Sequence, residues 1–173
     1  VNMNNNRVLG DPFSTATEQG PQVDKAQFDK IMDYIAIGKS EGAQCLTGGA
    51  ADDAGSLYVK PTLFDGVTDE MKIATDEIFG PCCHIRPFDT EEEAIALANN
   101  TPYGLATAIW TENLTRAHRV APQIDVGITW VNCWFLRDLR TPFGGAKQSG
   151  IGREGGEYSL EFYLETSNIC VKL

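Results

Sequence analysis

Residues 106–132 read ATAIWTENLTRAHRVAPQIDVGITWVN and contain two strand patterns separated by a helical pattern. The strand segments are Ala106–Trp110 and Gly127–Asn132, and the helical pattern covers Asn113–Ile124. A strand, helix and strand in succession are typical of a βαβ unit, in which a right-handed crossover joins two parallel strands. The stretch therefore predicts an α/β fold.

The same alternation extends outward from this unit in both directions. We expect an open, largely parallel sheet flanked by helices, because βαβ crossovers cover both faces of such a sheet. The remaining predicted elements are helices at 23–41, Glu91–Asn99 and Tyr158–Glu165, and strands at Gln44–Thr47, Leu57–Phe64, His84–Phe88 and Asn168–Leu173.

Length and composition indicate one globular domain with a sizeable core, since 42% of the 173 residues are hydrophobic. The net charge of −10 repels phosphate backbones and anionic lipids, so we expect neither nucleic-acid nor membrane partners. No apolar run approaches the roughly 20 residues that a membrane-spanning helix needs.

The cysteines are odd in number and form no Cys-x-x-Cys pair, which argues against a disulfide framework and a zinc site. We expect reduced thiols in a cytoplasmic protein and no metal site. Because the sequence starts at Val1 rather than Met, we also expect it to be part of a longer protein. The five cysteines are Cys45, Cys82, Cys83, Cys133 and Cys170.

A loop rich in glycine follows the second strand and carries Arg137 and Arg140 among apolar residues. A guanidinium in such a setting is costly unless it is paired. Asp138 or another acid of the chain is one candidate partner. The other is a substrate carboxylate, whose charged hydrogen bond contributes about 1.5–3 kcal/mol.

Two further patterns in this region favour structural roles. The Gly-x-Gly-x-x-Gly match at Gly150–Gly155 lacks a strand immediately before it and an acidic residue about 20 positions later, so we reject a dinucleotide fingerprint. Neither His84 nor His118 is near Cys133 in the sequence, and no helix start or lysine is placed to lower its pKa, so we interpret it as a buried thiol rather than a nucleophile.

Several segments resemble landmarks of the aldehyde dehydrogenase family, in the family's order. They are Val8–Phe13, Asn99–Ala106, Trp130–Asn132 and Pro142–Gly145. The resemblance covers almost the whole chain but only the carboxyl-terminal part of the family's chain. The segment Trp134–Arg140 is similar to that of family members that oxidise muconic semialdehydes.

The resemblance implies that residues 1–165 are part of a catalytic domain and residues 166–173 an oligomerisation strand. An apolar strand without a partner is an aggregation hazard, so Asn168–Leu173 either pairs within its own domain or adds to another subunit. The family's pattern favours a homo-oligomer, a dimer or a tetramer.

The resemblance also implies site residues and a cofactor, NAD. Glu77 and Phe79 occupy the places of the family's contacts to the nicotinamide ribose and the nicotinamide, and Gln27 that of a contact near the adenosine ribose. The arginine loop lines the substrate tunnel in the family. Arg137, before Arg140, would then bind the carboxylate of an acidic aldehyde, with Phe143 as an aromatic wall.

The implied reaction oxidises an acidic semialdehyde of the 2-hydroxymuconic type to its carboxylic acid, in the degradation of aromatic compounds. The nucleophilic cysteine and the general-base glutamate lie upstream in the family, so we expect no catalytic residue here and no turnover by this chain alone. The alternatives are a non-catalytic assembly or binding module and a dehydrogenase of betaine or succinic semialdehyde type.

Overall fold

The computed structural model describes residues 1–55 and 57–173. The chain folds as two compact units, Val1–Asp89 and Thr90–Leu173. No helix in the described ranges combines the length and the apolar character that crossing a membrane requires.

The described residues of the first unit form one three-stranded sheet and three helices. Strand β2 lies in the centre of the sheet, antiparallel to β1 and parallel to β3. The elements are α1 (Asn2–Asn6), α2 (Lys25–Ser40), β1 (Gln44–Thr47), β2 (Thr62–Asp65), α3 (Lys72–Thr75) and β3 (Cys82–His84).

The long helix α2 forms because its sequence provides both a cap and an apolar face. The Asp24 carboxylate accepts a hydrogen bond of 2.8 Å from the Gln27 amide, which satisfies one of the unpaired donors at the helix start. Ile31 and Ile35, four residues apart, are buried on one face. Their core partners are Ala43, Val59, Phe64, Val67, Ile73 and Ile78.

The second unit contains two small sheets and three helices. Strands β5 and β6 pair in parallel, and β4 and β7 pair antiparallel. The elements are α4 (Glu91–Asn99), β4 (Tyr103–Gly104), β5 (Ala106–Ile109), α5 (Leu114–Val120) followed by a 3₁₀ turn (Ala121–Gln123), β6 (Ile128–Val131), β7 (Ala146–Lys147) and α6 (Gly156–Tyr163).

The βαβ unit β5–α5–β6 is confirmed. Asn113 caps α5 through a 2.9 Å bond from the Arg116 amide. The loop that follows β6 returns so close to Gly127 that an added Cβ would lie 1.6 Å from the Gly144 carbonyl oxygen, so only glycine fits there. The buried hydrophobic residues of the unit are Ala117, Val120, Ile124 and Trp130.

Most predicted helices and the strands at 44–47, 106–110 and 127–132 are confirmed to within two or three residues. Two strand predictions were wrong in extent. The segment Leu57–Phe64 forms a strand only from Thr62, and of His84–Phe88 only His84 lies in a strand, as the last residue of β3. Each predicted segment contains a proline, Pro61 or Pro87, which has no N–H to donate.

The prediction of one largely parallel sheet is also corrected, because the described strands form three small sheets with parallel and antiparallel pairs in equal number. Asn168–Leu173 forms no strand, and all six of its residues are exposed. The interpretation that this segment pairs within its own domain was therefore wrong.

Candidate functional site

The loop Asp76–Pro81 in the first unit presents two of the predicted cofactor residues to solvent. Glu77 is exposed, and the Phe79 side chain is 75% exposed. Phe79 also has a φ of 58°, a left-handed conformation that is uncommon for an aromatic residue. An exposed ring on such a backbone is held there by its surroundings rather than by local preference.

Helix α2 supplies those surroundings through three residues on one face. The Gln27 side-chain nitrogen donates to the carbonyl oxygens of Ile78 at 3.0 Å and Phe79 at 2.7 Å. One turn later, Lys30 Nζ donates to the Glu77 carbonyl oxygen at 2.9 Å. Tyr34 Oη donates to the Asp76 carboxylate at 2.9 Å.

These bonds define a clamp, the contacts of Gln27, Lys30 and Tyr34 with residues 76–79. The three residues follow helical spacing and so share a face of α2. The Gln27 nitrogen is engaged by the loop backbone, so this side chain fixes the loop that carries Glu77 and Phe79. Lys30 and Tyr34 were not predicted as site residues from the sequence, although their helical spacing from Gln27 was a signal for them.

The arginine loop in the second unit holds Arg137 against an aromatic ring. The guanidinium carbon lies 3.9 Å from the centroid of the Phe143 ring, a cation–π distance. Arg137 Nη2 lies 3.3 Å from Glu154 Oε1, and the Arg137 side chain is 24% exposed. Phe143 and Glu154 are bridged by two reciprocal backbone hydrogen bonds of 2.8 Å.

Arg140 has a different environment from Arg137. Its Nε donates to both oxygens of Asp138, at 2.9 and 3.1 Å, and its side chain is 87% exposed. The hydrogen bond from Arg140 lowers the pKa of the Asp138 carboxyl, and the same bond raises the pKa of Arg140. Arg140 therefore pairs with Asp138, the acid that the sequence offered as its structural partner, whereas Arg137 pairs with Glu154, which was not predicted from the sequence.

Trp130 anchors the start of this loop from strand β6. Its indole nitrogen donates to the Leu136 carbonyl oxygen at 2.8 Å, and its ring lies 5.0 Å from that of Trp134 and 6.1 Å from that of Phe135. Trp130 is 7% exposed, whereas Trp134 is 66% exposed. The aromatic cluster thus fixes the backbone just before Arg137.

The glycine pattern at 150–155 contributes to packing. Gly155 has a φ of 98°, and an added Cβ would lie 2.3 Å from the Thr141 carbonyl oxygen. The glycine lets the chain pass beside the arginine loop before α6 begins at Gly156.

The cysteines of the described residues are all free thiols. Burial raises the pKa of the Cys82 thiol to about 12, with smaller contributions from Cys83 and Cys45, so Cys82 stays protonated at neutral pH. Cys133 is half-buried at the end of β6. Across residues 1–55 and 57–173, no three His, Cys, Asp or Glu side chains come together as a metal site would require.

Residues 2–169 match the aldehyde dehydrogenase family, and the chain belongs to that family. The fold agrees: a Bacillus cereus aldehyde dehydrogenase solved as an NAD⁺ complex superposes with a TM-score of 0.92 at 47% identity, over 95% of this chain and 34% of that chain. A Staphylococcus aureus betaine aldehyde dehydrogenase in complex with NAD⁺ gives a TM-score of 0.90 at 38% identity, over 94% of this chain and 33% of that one.

Among curated relatives, 2-hydroxymuconic semialdehyde dehydrogenase of Pseudomonas putida is 57% identical over 170 residues, which are 95% of this chain and 35% of the relative. The 2-aminomuconic 6-semialdehyde dehydrogenase of a Pseudomonas species is 51% identical over 167 residues, 94% of this chain and 34% of the relative. The chain thus spans about a third of the length of the relatives it matches.

Proposed function

We propose that residues 1–165 belong to the catalytic domain of an NAD-dependent dehydrogenase that oxidises an acidic semialdehyde to its carboxylic acid. The substrate is of the 2-hydroxymuconic semialdehyde type, and the reaction serves the degradation of aromatic compounds in the cytoplasm. The name of the Pseudomonas putida relative supports this substrate class.

The observation that carries the substrate class is the state of Arg137. Its guanidinium lies on the Phe143 ring and makes one contact of 3.3 Å with Glu154. A guanidinium offers a planar fork that suits the two oxygens of a carboxylate. Arg137 therefore binds the substrate carboxylate, and Phe143 forms the aromatic wall beneath it. Arg140, already paired with Asp138, has the lesser role of shaping the loop.

The first unit has surfaces that fit a nicotinamide cofactor. Glu77 offers an exposed carboxylate to a ribose hydroxyl, and Phe79 offers an exposed ring to the nicotinamide end. Gln27 contributes to the cofactor site by holding the backbone of Ile78 and Phe79. NAD, when bound, accepts the hydride of the oxidation.

The reaction also needs a thiol that forms the acyl intermediate and a carboxylate that activates water. Both groups come from residues upstream of the third of the relatives' length that this chain matches. None of the five thiols is assigned that role, and the protonated Cys82 is unsuited to it. We expect the chain alone to have no turnover with NAD and any aldehyde.

Arg137→Ala tests the proposal in an enzyme made by joining residues 1–173 to the upstream two thirds of the Pseudomonas putida relative, called here the joined enzyme. Loss of a charged hydrogen bond of about 1.5–3 kcal/mol raises the KM for 2-hydroxymuconic semialdehyde roughly 10- to 100-fold. The KM for hexanal, which has no carboxylate, stays within about twofold.

Arg140→Ala is the matched control, because it removes the same side chain from an exposed pair of the same loop. Its effect on both substrates is small. Equal increases in both KM values for Arg137→Ala would contradict carboxylate recognition and would favour a dehydrogenase of betaine or another uncharged aldehyde.

A second candidate function, assembly through residues 166–173, has its own observation. Ile169, Val171 and Leu173 alternate along an exposed segment: Ile169 is 85% exposed, Val171 is 74% exposed, and Leu173 is fully exposed. Such an alternation suits a strand that pairs with another subunit of a homo-oligomer. Deletion of Asn168–Leu173 in the joined enzyme, followed by light scattering, is expected to lower the mass; an unchanged mass would rule out this role.

A further inference from the structure

We propose that Glu154 is a specificity-determining residue: it holds Arg137 while the site is empty and releases it to the carboxylate of the substrate. This inference rests on the proposed function, since it needs Arg137 to be the substrate's partner. It assigns to Glu154 the role of a resident carboxylate that competes with the substrate.

The contact between Arg137 and Glu154 has the geometry of a replaceable pair. One guanidinium nitrogen lies 3.3 Å from one carboxylate oxygen. Strong charge-assisted hydrogen bonds measure about 2.7–2.9 Å, and those of arginine to a carboxylate are often bidentate. Arg140, three residues further along, makes a shorter, bidentate contact with Asp138 through its Nε at 2.9 Å and its Nη2 at 2.5 Å. The loop thus contains one satisfied arginine and one that is only partly satisfied.

The exposed fractions of the two side chains indicate that Glu154, rather than Arg137, moves when a substrate carboxylate binds. The Arg137 side chain is 24% exposed and lies on the Phe143 ring, whereas the Glu154 side chain is 61% exposed. Glu154 can therefore turn into water at little cost, while the cation–π contact keeps the guanidinium in place.

The backbone of Phe143 and Glu154 is fixed while the Glu154 side chain is replaced by the substrate carboxylate. Phe143 and Glu154 form an antiparallel bridge with two hydrogen bonds of 2.8 Å, and directly opposite residues of such a pair project to the same side. The ring that supports Arg137 and the carboxylate that neutralises it are thus held beside one another. A substrate carboxylate needs to displace only a side chain.

A competing carboxylate weakens the binding of acidic substrates and leaves uncharged ones unaffected. Glu154→Gln in the joined enzyme keeps the side-chain size but removes the negative charge. We expect the KM for 2-hydroxymuconic semialdehyde to fall about 2- to 5-fold, the range for a partly exposed ion pair, with that for hexanal unchanged. Asp138→Asn, which removes the acid paired with Arg140, is the control and should not lower either KM.

The double variant Arg137→Ala/Glu154→Gln isolates the mechanism, because Glu154 has nothing to compete for once Arg137 is gone. The KM of the double variant for the acidic aldehyde should therefore equal that of the Arg137→Ala single variant. A fall in both substrates' KM values in the single variant, or a rise for the acidic one, would overturn the proposal.

If Glu154→Gln lowers kcat for every aldehyde, a direct measurement of ligand binding still tests whether Glu154 competes for Arg137. Calorimetric titration with adipate, a six-carbon dicarboxylate, is expected to show 2- to 5-fold tighter binding to the variant than to the parent. Unchanged or weaker binding would overturn the competition. If Arg137→Ala fails to discriminate the substrates, the proposed function fails; if only Glu154→Gln has no effect, the inference alone fails.

Discussion

Removal of the Gln27 side chain should loosen the loop that carries Glu77 and Phe79. Gln27→Ala deletes two hydrogen bonds, of 3.0 and 2.7 Å, to the carbonyl oxygens of Ile78 and Phe79. Each bond contributes about 0.5–1.5 kcal/mol, and one of the two is solvent-exposed, so we expect a local loss of about 1–2 kcal/mol. Lys30 and Tyr34 retain the rest of the clamp.

Amide hydrogen exchange followed by mass spectrometry measures this local loss. The Asp76 amide donates to the Lys72 carbonyl oxygen at 2.9 Å, and the Cys82 amide donates to the Gly80 carbonyl oxygen at 2.7 Å. These two amides report on the two ends of the loop. A loss near 1.4 kcal/mol speeds exchange about tenfold.

Lys25→Ala is the matched control on the same helix. Lys25 pairs with Asp29 at the exposed surface, 79% and 51% exposed, and an exposed pair at this spacing contributes about 0.3–0.5 kcal/mol. Exchange in residues 76–82 should therefore be unchanged. The clamp would be refuted by exchange within twofold of the parent in Gln27→Ala, or by equal acceleration in Lys25→Ala.

Three further predictions concern stability and reactivity. Phe64→Ala empties a fully buried position and should lower the free energy of unfolding of the first unit by about 3–5 kcal/mol in urea titrations; a loss below 1 kcal/mol would show that the core is not packed as described. Because its pKa is raised to about 12, the Cys82 thiol should react with Ellman's reagent at neutral pH more slowly than the exposed Cys170; equal rates would contradict the burial of Cys82. The hydrogen bond from Arg119 lowers the pKa of Glu91 from its ordinary value, so the stabilisation is present above that ordinary value and disappears as the pH falls through the lowered pKa. The gap in urea midpoint between the parent and Glu91→Gln should therefore narrow on acidification, and a constant gap would refute the linkage.

Local elements with strong signals could be predicted from the sequence. Helix α2 follows from the helical spacing of Ile31 and Ile35, and the βαβ unit follows from its two strand patterns. The limits of β2 and β3 could not be read from apolar residues alone, because backbone pairing and the missing N–H of Pro61 and Pro87 decide them.

The types of residue in the candidate site could be predicted from the sequence better than the partners that those residues contact. The apolar setting of Arg137 and Arg140 indicated that each needs a partner, and Asp138 was the local candidate for Arg140. The contact between Arg137 and Glu154 spans 17 residues and depends on how the loop folds back on β6, for which the sequence has no periodic signal. Asn168–Leu173 alternates like a strand, but a strand also needs a partner, and its own unit provides none among the described residues.

Recognition of a carboxylate by Arg137 is measured by the ratio of kcat/KM for 2-hydroxymuconic semialdehyde to that for hexanal in the joined enzyme. The ratio should fall roughly 10- to 100-fold in Arg137→Ala and by less in Arg137→Lys, which keeps the charge but loses the planar fork. A ratio that stays at the parent's value in Arg137→Ala would show that Arg137 does not recognise the substrate carboxylate.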